Sequence, residues 1–156
     1  MSDTSGATRY GAQGTEARSP IRTAAMVVGV VFLLVGILGF VPGITNHYSD
    51  MSFAGHNSDA KLLGIFQVSI LHNLVHLLFG IVGIIAAKKS SSSRSYLIVG
   101  GVIYLVLWIY GLVIDKSSGA NFVPVNNADN WLHFVLGVGM IALGVILARR
   151  TTTARI

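Results

Sequence analysis

A chain of 156 residues with 53% hydrophobic residues, only 11% charged and a mean hydropathy of +0.69 is too apolar for a soluble domain, in which about a quarter of residues are charged. The net charge of +5 does not point to nucleic acid, because the basic residues are spread along the chain rather than gathered with aromatics into one surface. With no cysteine, disulfides, thiolate metal sites, iron–sulfur clusters and a thiol nucleophile are all excluded.

In chain order, residues 1–21 are rich in Gly, Ser, Thr and Ala and predict a solvated cytoplasmic tail that cannot bury enough apolar surface to fold alone. Residues 23–41 are the first of four stretches that lack Asp, Glu, Lys and Arg and approach the roughly 20 residues a helix needs to cross hydrocarbon. Their rival reading is a secretory signal. The run is longer than a signal core and ends in Val41-Pro42-Gly43 rather than a small-x-small cleavage site, which favours a retained helix. The connection 42–69 carries His47, His56, Asp50 and Asp59, and is either a mobile loop or a cap over the helices.

The remaining runs are 70–87, 95–114 and 131–148, with Ser90 to Ser93 as a flexible joint and 150–156 as a second cytoplasmic tail. The prediction is an all-α polytopic membrane protein, a compact four-helix transmembrane bundle over 22–149 with helices two and four near its centre. Nine bases (Arg9, Arg18, Arg22, Lys88, Lys89, Arg94, Arg149, Arg150 and Arg155) fall on one side and only Lys61 and Lys116 on the other, which puts both termini in the cytoplasm. Trp108, Tyr110 and Trp131 fall toward the outer interface and Tyr96 toward the inner one.

The chain also aligns with itself. Gly29-Val30-Val31-Phe32-Leu33 matches Gly101-Val102-Ile103-Tyr104-Leu105 at an offset of 72, and helix two matches helix four at an offset of 57. Two parallel hairpin repeats, 22–87 and 95–149, are the expectation.

Within the repeat lies a doubled polar signature, His72-Asn73-Leu74-Val75-His76 and Asp129-Asn130-Trp131-Leu132-His133. Asn73, His76, Gly80 and Gly83 form one helical stripe, and Asn130, His133, Gly137 and Gly144 another. Gly29, Gly36, Gly39 and Gly101 add further points where helices can approach closely. Polar side chains in a membrane are costly and raise the question of a site. Three readings stay open. The polar groups bond to one another and to backbone, pinning the hairpins; or His72, His76 and His133, with Asp129, hold a divalent metal, or His76 and His133 ligate haem or donate to a quinone; or the chain is a subunit of a small-solute transporter or channel. No spacing here is specific to a cofactor, and none is expected.

The phrases Asp59-Ala60-Lys61-Leu62-Leu63-Gly64-Ile65-Phe66-Gln67-Val68, Leu71-His72-Asn73-Leu74-Val75-His76-Leu77-Leu78-Phe79-Gly80 and Asn127-Ala128-Asp129-Asn130-Trp131-Leu132-His133 resemble a family of small bacterial, largely actinobacterial, membrane proteins grouped as domain of unknown function 4383. The resemblance covers about residues 22–149. It implies a four-helix protein of a bacterial plasma membrane, and it brings no activity, substrate or catalytic residue. The expectation is a non-enzymatic structural or interaction component whose partners are lipid and either a second copy or another membrane protein, and not nucleic acid.

Overall fold

In hydrocarbon every backbone amide must find its partner within the chain, which selects helices for the charge-free runs. The structure, a computed structural model, describes residues 19–153, with side chains as far as Ala148. It contains α1 (Pro20–Leu38), α2 (Ile70–Ala86), α3 (Ser90–Val113) and α4 (Asn127–Thr153). The helices α1 and α3 and the part of α4 over Asn127–Ala148 are long and apolar enough to cross a membrane. The 17 residues of α2 are equally apolar but span about 26 Å, at the short end of what crosses.

Three boundaries differ from the sequence expectation. Pro20 opens α1 at a position where its missing N–H costs nothing, so the helix starts inside the stretch assigned to the tail; residues 1–18 of that tail lie outside the described residues. Ser90 to Ser93 are not a flexible joint but the first turn of α3, because Ser93 Oγ donates to the Ala86 and Lys89 carbonyls and closes the end of α2. The helix α4 begins at Asn127 and its backbone continues to Thr153, into the segment expected as the second tail.

Burial is inverted relative to a water-soluble protein. Leu78, Val113 and Val135 are 62%, 75% and 62% exposed, whereas Asn73, His72 and Asp129 are at 0%, 4% and 3%. Apolar rings and branches outside with amides and imidazoles inside is the arrangement that a lipid solvent favours. Tyr96, near the α2–α3 turn, is buried against α2, where its hydroxyl donates to the Phe79 carbonyl at 3.3 Å.

The helices pair as two hairpins, α1 with α2 and α3 with α4. Lipid supplies no hydrophobic drive between helices, so association depends on close backbone approach. A methyl group at Gly29 would sit 2.9 Å from the Gly80 oxygen, and one at Gly80 would sit 2.7 Å from the Gly29 oxygen. In the other hairpin Gly101 and Gly137 face each other the same way, at 2.7 and 3.0 Å. Added methyl groups at Gly36, Gly83 and Gly144 would likewise come within 2.8 Å of Leu77, Tyr96 and Ile98 respectively. Between hairpins, α1 meets α3 and α4, and α2 meets α3. The expectation that α2 and α4 form the centre is corrected, because their backbones are not a closely packed pair and only their imidazoles converge. Phe32 of α1 and Tyr104 of α3 stack at the middle instead, their rings 5.3 Å apart.

The connection 42–69 folds as a cap. Strands β1 (Thr45–Asn46), β2 (Lys61–Leu62) and β3 (Phe66–Gln67) form an antiparallel sheet in that order, with Thr45 opposite Leu62 and Leu62 opposite Phe66. Ala60, Leu62 and Val68 bury against Val35 and Leu38 at the end of α1, and Thr45 Oγ1 donates to the Leu38 carbonyl. Gly55 N donates to the Phe122 carbonyl at 2.6 Å, joining this cap to the α3–α4 connection.

Candidate functional site

The two signatures open α2 and α4, where a helix leaves N–H groups without intrahelical partners. Ser69 caps α2, its Oγ accepting from His72 N at 3.1 Å. Asn126 caps α4 reciprocally: its Oδ1 accepts from Asp129 N at 3.0 Å, while Asp129 Oδ2 accepts from Asn126 N at 2.9 Å. The same carboxylate oxygen accepts from Gln67 N of β3 at 2.9 Å, and Asn126 Nδ2 donates to the Ile65 carbonyl at 2.7 Å. Asp129 is thus the peg that fixes the cap sheet to α4. On α2 the third position is His72, whose Nδ1 donates to the Pro124 carbonyl at 3.1 Å and holds the α3–α4 connection.

Asn73 and Asn130 turn toward their own hairpin partners rather than toward a common axis. The Asn73 Oδ1 lies over Gly39 of the α1 end and Asn130 Oδ1 over Gly111 of α3, so close that any side chain at either glycine would collide with the carboxamide. Neither oxygen has a conventional donor. Each faces a glycine Cα, where Cα–H···O contacts contribute about 0.5–1 kcal/mol. Asn73 Nδ2 rests against Met51 Sδ at 3.9 Å.

The histidines do converge between the hairpins. Ring centroids of His72 and His76 are 4.6 Å apart, and those of His72 and His133 are 6.5 Å apart. His76 packs on Phe32 at 5.6 Å and His133 on Tyr104 at 5.2 Å. His76 Nδ1 and His133 Nδ1 are buried with no hydrogen-bond partner, as is Trp108 Nε1. An unmade bond at such a buried group costs on the order of 1–3 kcal/mol.

The metal set of three nitrogens and one oxygen is not assembled. Asp129 is committed to two backbone amides and His72 to Pro124, and no group of three His, Cys, Asp or Glu among the described residues is placed to hold an ion. Haem between His76 and His133 does not fit either, since the cavities beside these rings are about 170 and 130 Å³, room for one ring and not for a macrocycle. Outside the bundle, Ser117 donates from both N and Oγ to Asp115 Oδ1 and holds that exposed carboxyl below the usual carboxylate range.

Sequence reasoning did not single out Phe32, Tyr104, Trp108 or Gln67 as parts of this site. Phe32 and Tyr104 were available in the internal alignment, where they occupy equivalent places; Gln67 carried no signal, because its bond to Asp129 crosses 62 residues.

An apolar exterior, helices that satisfy their own backbone and a buried polar cluster at one end define a small α-helical membrane protein. Its sequence matches the family described as Domain of unknown function (DUF4383) over residues 22–146, and the chain belongs to that family. No curated protein and no solved structure matches it.

Proposed function

We propose that this protein is a non-enzymatic structural or interaction component of a bacterial plasma membrane, with four spans, cytoplasmic termini and two hairpin repeats, 22–87 and 95–149, between short tails. One observation carries the reading. Of the six polar signature residues, four are spent on the protein's own architecture: Asp129 and His72 pin the outer cap, and Asn73 and Asn130 seat the hairpins. Matching roles support the repeat, since Gly29·Gly80 corresponds to Gly101·Gly137, Asn73 over Gly39 to Asn130 over Gly111, and cap Ser69 to cap Asn126. The positive side of the bundle, with Lys88, Lys89 and Arg94 at the α2–α3 turn, supports the orientation. Arg22 Nε donates to the Ala87 carbonyl at 3.0 Å and draws the start of α1 to the same face.

On this reading the rigid outer cap is what the protein presents, with exposed Phe53 and Phe122 upon it. Photocrosslinking from Phe53 and Phe122 in cells tests this: a discrete protein adduct or a homodimer from either position is the expected result, and adducts to lipid alone reject the interaction role. Because the chain has no cysteine, Ser117→Cys and Ser91→Cys report topology cleanly. A membrane-impermeant maleimide should label the first in intact cells and the second only after permeabilisation.

A further inference from the structure

The packing role leaves two side chains unexplained. Neither His76 nor His133 has a hydrogen-bond partner among the described residues, and Nδ1 of each is sealed from solvent. His133 is only 5% exposed. Unpaired buried N–H groups are rarer than unpaired acceptors, which favours the tautomer with the proton on Nε2 and a lone pair on the sealed Nδ1. Both rings line both cavities. In that tautomer the bundle holds two imidazole N–H donors beside largely apolar cavities.

Three properties define what could use them. Phe32, Val35 and Leu136 wall the larger cavity, about 170 Å³, and a cavity of about 150 Å³ accepts a benzene ring. Charge is disfavoured, because the carboxylate nearest the rings, Asp129, is already committed to backbone amides and supplies no free counter-ion. The rim carries exposed Val31 and Leu63, so the opening is apolar and suits a molecule arriving from the acyl chains. Pockets of this kind, apolar with a few convergent polar groups, are the usual form of small-molecule sites.

We infer that the larger cavity seats the head group of a membrane-dissolved quinone, a neutral six-membered ring whose carbonyl oxygens accept from His76 and His133 while its apolar tail leaves past Val31. Lipid esters share the carbonyl chemistry but not the ring, and alkylbenzenes share the ring but not the acceptors. The three classes are thereby separable.

The test uses the full-length protein in lipid nanodiscs, titrated with decyl-1,4-benzoquinone, decylbenzene and ethyl laurate, and followed by imidazole ¹⁵N shifts and melting temperature. Saturable quinone binding should move the His76 and His133 resonances and raise the melting temperature, with the other two probes at least tenfold weaker. His76→Phe and His133→Phe should each weaken the quinone about tenfold, the ~1.4 kcal/mol of one hydrogen bond. The same variants should melt at the same temperature as the parent or higher without ligand, since an unpartnered nitrogen is removed; a purely structural imidazole would lower it. Leu136→Phe fills the larger cavity and should cost at least tenfold in quinone affinity whether or not the histidine variants fold. Equal binding of decylbenzene or ethyl laurate, histidine resonances that do not move at saturation, or an unchanged affinity in Leu136→Phe would overturn the assignment.

Discussion

The two hairpins agree at their glycine crossings and where Asn73 and Asn130 lie over Gly39 and Gly111, and they differ in the contacts between these points and in how each holds the cap. At the crossing, both bring glycine against glycine with no room for a methyl group, Gly29 on Gly80 and Gly101 on Gly137. Further out, Gly36 meets Leu77 in the first hairpin, while in the second the aligned places hold Trp108 and Phe134, their rings in tilted contact at 4.8 Å. The third position of each helix is His72 in one and Asp129 in the other, one reaching across to Pro124 and the other gripping Gln67. Backbone crossings tolerate no volume, whereas the ends accept whatever holds the loops. The crossings are thus sterically fixed, and the side chains that attach the cap differ between the hairpins.

Substitutions at the crossing should break the agreement most severely. Gly29→Leu and Gly101→Leu should each cost about 3 kcal/mol or more, because carbonyl backbone rather than a side-chain tip blocks the new group. Denaturant unfolding in detergent would measure it, and a loss under about 1 kcal/mol in either would show the crossing to be loose. Asp129→Ala strands two amides at once and should cost about 2 kcal/mol, with faster hydrogen exchange at Gln67; His72→Ala removes one bond and should cost about half of that. Equal losses would erase the contrast between the two ends.

A smaller effect is expected where asparagine meets glycine. Gly39→Ala should destabilise by about 1–2 kcal/mol, and Asn73→Ala in the same chain should recover most of that; Gly111→Ala and Asn130→Ala should behave alike. A double-mutant cycle with no coupling would remove the contact from the account. Trp108→Phe keeps an aromatic contact with Phe134 and deletes an unpartnered N–H, so a change within about 0.5 kcal/mol, on the stabilising side, is expected in thermal melts.

The membrane class and the four helices are legible in the sequence because charge-free runs of this length have few other uses. The direction of the signatures is not. Asn73 and His76 lie three residues apart, about 60° around the helix, so one stripe meets different surroundings: the asparagine lies over Gly39 at the α1 end, whereas the histidine packs on Phe32 within α1 and lines a cavity shared with Tyr104 and His133 of the other hairpin. The reciprocal cap was readable locally, since Asn126 stands three residues before Asp129, a spacing with a known mechanical use. The cap sheet was not readable. Its strands are two residues long, too short for any alternation, and its turn relies on left-handed Leu63 and Gly64 with φ of 55° and 72°. Ser90 to Ser93 misled for a related reason, as serine competes for backbone bonds in turns and only the location of the Ala86 carbonyl makes it helical here.

The pairing of α1 with α2 has a consequence for biogenesis. Once residue 86 has left the ribosome the first hairpin holds all the glycine contacts it will use at its crossing, and Asn73 is already shielded by Gly39. Its two helices can enter the bilayer already paired. What waits for the second hairpin is the joinery of the cap, Gly55 N for the Phe122 carbonyl, Gln67 N for Asp129 and His72 for Pro124, so the late step of assembly locks the cap and closes the histidine chamber.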